Sequence, residues 1–448
     1  MTGKMLGRCN NPIVLKPFHV SYRLRSYIYS GESRLNNNQN FLNSRAAFEL
    51  VDNWMFVDAR AGITQQSRSA FGAPVVADGG GTNANQTETR TFQLSPYVRG
   101  MFADRAIYQF RFNASESRTA DNAFADSRTS EWLGLISTPP TPTRLGWLLD
   151  GSAQTVRNDD IGKRKNNRAR ASLIYQVMPT LALSAIGGYE DNSLASAEGR
   201  GGSSNGLGLE WNPSPRTRLV AIGQRRFFGN GHDVTFSHRT ALTSWRFSSG
   251  RDVVLSQNIA VSANQISVSD LISDILSSSI PDPAARSAAV GQRLGQAGIP
   301  VTSTSSSGFL TSRPTLTRRQ DASVAILGVR STITLGLSRR DQRALGDTTG
   351  PADSFEVSDD IRQTIFNGSW IYRLTPMSSF TLATSKSKSE GLNSSGFESE
   401  QRVQSLYFNT SLGPQTTASI GIRHDRFDST RANSYRENSV TGSLSVRF

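Results

Sequence analysis

From about residue 18 to the C-terminus, apolar and polar side chains alternate with a period of two, in segment after segment of roughly ten to fifteen residues. The final stretch, Asn438-Ser-Val-Thr-Gly-Ser-Leu-Ser-Val-Arg-Phe448, sets Val440, Gly442, Leu444, Val446 and Phe448 against Thr441, Ser443, Ser445 and Arg447. Successive side chains of a strand point to opposite faces, so each segment is a strand with one oily and one wet face. So many strands leave too few residues to bury the second side of every sheet, which disfavours a sandwich. The pattern predicts an all-β fold, a large antiparallel up-and-down transmembrane β-barrel of about 20 strands spanning 18–448, after an irregular segment 1–17.

Composition agrees once both faces are counted. The chain is only 36% hydrophobic, because alternation averages an oily face with a wet one. No run approaches the roughly 18 to 20 apolar residues of a membrane helix, so a bilayer would have to be crossed by strands closed on themselves. The one cysteine, Cys9, excludes an intramolecular disulfide and a thiolate metal cluster. A net charge of +13 raises nucleic acid as a partner. The basic residues are scattered singly through alternating strands, however, so no nucleic acid is expected; they suit a wet lumen, rims and loops, where they would favour anionic solutes. Residues 1–16 carry Lys4, Arg8 and Lys16 around a short apolar Ile13–Leu15, without the apolar core of a secretory leader. For an outer-membrane chain the expectation is a truncated or misassigned start.

Strands are expected near 18–30, 38–50, 54–67, 87–101, 105–118, 125–138, 143–157, 164–177, 180–193, 203–211, 216–228, 232–247 and 251–264, then 311–327, 331–345, 356–373, 377–390, 398–412, 416–429 and 435–448. Tight turns fall at every second connection: 51–53, 102–104, 139–142, 178–179, 212–215, 248–250, 328–330, 374–376 and 413–414. Longer polar stretches such as 68–86, 194–202 and 346–355 alternate with them, as periplasmic turns alternate with outer loops in a barrel. Parity turns Ala106, Tyr108, Phe110 and Phe112 outward, with Ala169, Ala171, Leu173 and Tyr175, Leu181, Leu183 and Ala185, and Leu406, Phe408 and Leu412. Trp54, Trp132, Trp147, Trp211, Trp245, Trp370 and Tyr372 sit mostly near strand ends, where interfacial girdles belong.

One insertion, 265–308, breaks the alternation. Asp282 as N-cap, Pro283 behind it and Gly298 with Pro300 as a stop predict two short helices in an extracellular or pore-mouth insertion. It reads equally as a lid over the pore and as a surface flap.

Catalytic material is sparse: His19, His232, His238 and His424 are the only histidines. His232 and His238 share a face but stand roughly 20 Å apart along a strand, and His424 and Asp425 have opposite parity. Neither pair can form a dyad, so no enzyme, cofactor or metal is expected. The lumen candidates chosen by parity are Arg111, Arg170, Arg216, Arg218, Gln224, Arg226, Arg340 and Arg423.

Three phrases, Gly187-Gly-Tyr-Glu-Asp-Asn192, Trp211-Asn-Pro-Ser-Pro-Arg-Thr-Arg-Leu219 and Arg226-Phe-Phe-Gly-Asn-Gly-His-Asp-Val-Thr-Phe-Ser-His-Arg-Thr240, resemble in sequence and spacing the outer-membrane protein family associated with PEP-CTERM and exosortase systems. The resemblance implies a barrel in the bacterial outer membrane that serves as conduit or accessory in exopolysaccharide export. Its partners would be outer-membrane lipid, an anionic polysaccharide and periplasmic export machinery. An anion-preferring general porin and a structural anchor without an open channel are the alternatives.

Overall fold

A pleated backbone sends β-branched and aromatic residues to one side and hydroxyl, amide and charged residues to the other, so strands form where the sequence alternates. In the computed structural model they are β1 (Val14–Leu15), β2 (His19–Tyr27), β3 (Asn37–Val51), β4 (Met55–Ser67), β5 (Gln86–Phe102), β6 (Ala106–Thr119) and β7 (Ser127–Ser137). Next come β8 (Leu145–Asn158), β9 (Gly162–Met178), β10 (Leu181–Asn192), β11 (Gly201–Ser214), β12 (Thr217–Arg226), β13 (Gly229–Arg239) and β14 (Thr243–Val254). The last are β15 (Thr315–Leu327), β16 (Ser331–Ala344), β17 (Asp360–Arg373), β18 (Ser378–Gly391), β19 (Glu398–Ser411), β20 (Thr416–Ser429) and β21 (Tyr435–Val446). The structure describes residues 14–15, 18–27, 36–75, 84–103, 105–120, 124, 126–138, 144–159, 162–193, 201–255, 308–346, 353–393, 396–413 and 416–446, with 272, 273, 275–277, 280, 282, 285, 286, 289 and 290. The expected turn at 139–142 and all but β1 of the expected irregular 1–17 segment lie outside them.

Each strand from β3 onward pairs antiparallel with its successor in one up-and-down sheet. β1 and β2 both pair with β3, Val14 opposite Glu49 and His19 opposite Arg45, and are two pieces of a single stave. The sheet rolls into a β-barrel. Among the described residues no ladder joins β21 to β2, so the seam of the barrel falls between the last stave and the first.

Two local readings shift. A single strand was expected over 232–247 with a turn at 248–250, but the chain turns at 240–242 and Ser248 to Gly250 pair inside β14. The reason is the Thr240 hydroxyl, which accepts the amide hydrogens of Leu242 and Thr243 and builds a turn without glycine or proline. The neighbouring hairpin turns on Phe227 and Phe228, just ahead of Gly229, whose φ of 93° resumes the strand.

Outward positions are apolar over the half of each strand nearer the tight turns. Phe110, Leu145 and Leu149, Leu173 and Tyr175, Leu406, and Ile420 and Ile422 are all exposed. Trp54, Trp147, Trp211, Trp245 and Trp370 ring the tight-turn rim. Their indoles find partners there: Trp54 Nε1 donates to Tyr108 Oη at 3.0 Å, Trp245 Nε1 to Thr243 Oγ1 at 3.1 Å and Trp370 Nε1 to Ser331 Oγ at 3.3 Å. An amphipathic ring with its polar edge satisfied at the rim is what an interfacial girdle requires. Toward the opposite rim the outward face becomes charged, with ion pairs such as Glu116 to Arg118 and Arg128, Asp341 to Arg339 and Arg362, and Glu400 to Lys386 and Arg402.

Candidate pore: the inward wall and what fills it

The inward face is polar. Thr89, Ser95, Ser117, Ser127, Thr129, Glu190, Asn192, Ser204, Gln224, Gln342, Gln363, Gln401 and Asn409 are all buried there. Alternation assigns them, since each lies one residue from an outward apolar or belt position.

Of the residues chosen by parity, seven face inward. Arg111 pairs with Asp58 at 3.0 Å and stacks over Tyr97, itself stacked on Phe56. Arg170 pairs with Asp150 at 2.9 Å, Arg218 with Glu210 at 3.1 Å and Arg423 with Asp425 at 2.7 Å. Arg226 holds Glu190 through two bonds of 2.6 and 3.1 Å and Asp252 through one of 2.7 Å. Gln224 is buried in the wall and Arg340 is half-buried there. Arg216 does not join them: it is exposed in the tight turn between β11 and β12, because the strand starts only at Thr217.

The pairing changes the electrostatic picture. Five of the eight chosen residues are neutralised by an adjacent carboxylate, so they contribute little net field. The positive charge available to a solute includes two arginines that sequence reasoning passed over, Arg164 and Arg168. Both share the inward parity of Arg170 on β9, and no ion pair of either occurs among the described residues. Their parity was a usable signal; their lack of a carboxylate was not, because partners come from strands far apart in sequence.

Three of the four histidines lie elsewhere. His232 and His238 point outward, His232 to Ser249 Oγ at 2.9 Å and His238 to Thr217 Oγ1 at 2.8 Å, while His424 lies outward beside Asn438 at 2.6 Å.

Described helical residues of the insertion stand against the inner wall. It leaves the wall after β14 and returns before β15, at the rim away from the tight turns. Its described helical residues are at the other end: Ile275 packs on Ala325 and Leu327 of β15, and Ser277 accepts from Arg239 at the end of β13. Ala325 lies ten residues along β15 from Thr315, roughly 34 Å at ~3.4 Å per residue. Ala325, Leu327 and Arg239 are inward by parity, so Ile275 and Ser277 stand inside the barrel. It was expected as a lid or flap at the outer mouth; its described helical residues instead stand at the tight-turn end. Asp282 does cap the second helical stretch, its Oδ2 accepting from Ala285 N at 2.7 Å, and Ile272, Leu276 and Val290 pack the two stretches together.

The upper mouth is crossed by a second device. Segment 67–75 after β4 meets 309–310, where Leu310 N donates to Ser67 O at 2.9 Å, and Ala70 N donates to Ser354 Oγ at 2.9 Å. Ala70, Phe71, Phe309, Phe355 and Ile361 form a buried knot against Val357 and Phe397. Beneath it Arg313 pairs with Asp353 at 3.4 Å. Burial holds the Asp353 carboxyl above its ordinary value, although the Thr311 hydroxyl donates to it.

No family profile matches the sequence, and no curated protein does. Among solved structures, similarity extends to the FrpB iron transporter from Neisseria meningitidis, at 8% identity and a TM-score of 0.46 over 92% of this chain and 73% of that one. The siderophore receptor PirA from Acinetobacter baumannii aligns at 8% identity and 0.40 over 96% and 80%. Pseudomonas aeruginosa OccK2 (OpdF), solved in complex with glucuronate, aligns at 12% identity and 0.37 over 88% and 98%.

Proposed function

We propose that the chain is an outer-membrane channel whose lumen is filled at rest by its own insertion and which passes an anionic solute. The observation that carries this reading is the division of faces, apolar and girdled by tryptophan outside, polar inside, which suits a barrel set in a bilayer. Arg164 and Arg168 on the inner wall supply an attraction for anions. Helical residues of the insertion seated on the inner wall favour a gated conduit over a permanently open general porin. In the finer form of the proposal the solute is an exopolysaccharide exported in an exosortase-associated system, supported by the three resembling phrases.

Single-channel recording tests it. Wild-type protein in planar bilayers should conduct rarely, and a variant with residues 256–307 replaced by a short glycine-serine linker should conduct several-fold more, with anion preference. Arg164→Glu with Arg168→Glu in that variant should reverse the preference. A folded, inserted deletion variant that passes no current would leave a structural anchor as the function.

A further inference from the structure

We infer that the outward wall over β10–β13 is a binding site for one phosphorylated lipid of the surrounding leaflet; this rests on the bilayer reading above. Leu183, Leu207, Leu209, Ala221, Gly223 and Val234 line an open groove of about 710 Å³. Its floor is low because Gly223 has no side chain, and a Cβ there would meet nothing within 4 Å. Leu207 stands 72% exposed as a wall. An acyl chain is the natural occupant of an apolar channel on a lipid-facing surface.

The end of the groove away from the tight turns is basic. Arg225 lies two residues beyond Gly223 on the same face, and His232, Arg251 and Arg318 succeed one another as cross-strand partners in a row starting from Gly223. Adjacent strands lie ~4.8 Å apart, so His232, Arg251 and Arg318 sit side by side, with Arg225 one row further from the tight turns. Like charges directly opposed on a sheet destabilise it unless an anion lies between them.

Elsewhere on the outward face many arginines are neutralised. Arg90, Arg118, Arg128, Arg339, Arg343, Arg362, Arg402 and Arg426 each hold a carboxylate. Arg225, Arg251 and Arg318 have none within ion-pair distance among the described residues. Arg251 is steadied by the carbonyl of Asn230 at 2.8 Å, which orients its guanidinium without neutralising it. The nearest register partner of Arg318, Asp341, is already shared by Arg339 and Arg362. A phosphate above an acyl chain completes both halves: three guanidinium groups take the phosphate, and the glycine-floored channel takes the chain.

The test is native mass spectrometry of the full chain with diphosphoryl lipid A or its dephosphorylated form as probe. The phosphorylated lipid should be retained in preference to the other. Arg225→Gln, Arg251→Gln and Arg318→Gln together should lower retention roughly tenfold or more. Gly223→Leu should lower it without altering charge, and Arg118→Gln with Arg426→Gln should leave it unchanged. Equal retention of both lipids, loss of bound lipid A to excess inorganic phosphate alone, or indifference to the triple substitution would each overturn the site. Insertion is followed separately by heat-modifiable gel mobility and protease protection in vesicles. Inserted protein without lipid preference would sink this inference alone, whereas failure to insert would sink the bilayer reading and this one with it.

Discussion

At the scale of single residues, the wall is held by charges that would be costly if separated. Glu190 is 1% exposed and both its oxygens receive bonds from Arg226. Glu190→Ala leaves that guanidinium with Asp252 alone in a poorly solvated place, and a loss of about 3 kcal/mol is expected, read as a lower urea midpoint of the refolded barrel. Asp353 makes a different prediction. Its carboxyl releases its proton above the ordinary 3.8 because it is buried under the aromatic knot. The folded state therefore keeps a proton that the unfolded chain has already lost. The stability this contributes is complete below the ordinary value and disappears as pH rises through the raised one. Thermal unfolding from about pH 3 to pH 7 should show that slope, and Asp353→Asn should abolish it; identical slopes would refute the assignment.

At the scale of elements, the described helical residues of the insertion have a defined seat on the wall. Ile275 against Ala325 and Leu327 is an apolar plug seated on the wall, and the Ser277 to Arg239 bond is its polar latch. Ile275→Ala should loosen this seat by about 2–5 kcal/mol without touching the barrel ladders. The expected readout is more frequent channel opening with unchanged heat-modifiable mobility. The helical stretches themselves were legible, because a capping aspartate ahead of an alanine-rich run acts locally. Their place in the lumen was not, since the residues they meet belong to strands on either side of the insertion. The turn at 240–242 was missed for a comparable reason: a threonine hydroxyl capping two amides is a weaker mark in sequence than the serine and glycine at 248–250.

At the scale of the whole molecule, the weak line of the barrel is the seam between β21 and β2, which no ladder crosses among the described residues. Backbone groups along an open seam in hydrocarbon would each cost several kcal/mol, so the two edges must be kept in register by something else. The aromatic knot serves: it links the end of β4, early in the chain, to β17 and, through Ser429 donating to Phe71 O, to β20. Phe71→Ala should therefore cost about 3–5 kcal/mol and speed amide hydrogen exchange in β2 and β21 more than in β9 and β10. Equal protection of edge and central strands in the wild type would mean that the seam is zipped.

The sequence by itself determined the strands, their faces and their up-and-down order, because a period of two and short turns act between neighbours in the chain. Parity was enough to send Arg111, Arg170, Arg226 and Arg423 inward and Leu173, Tyr175 and Leu406 outward. Only the tertiary structure decided which of those arginines are neutralised, that Arg164 and Arg168 are left to meet a solute, and that the helical residue Ile275 packs on the inner wall. Each depends on groups from distant staves meeting across a curved wall, and distance along the chain carries no record of distance across it.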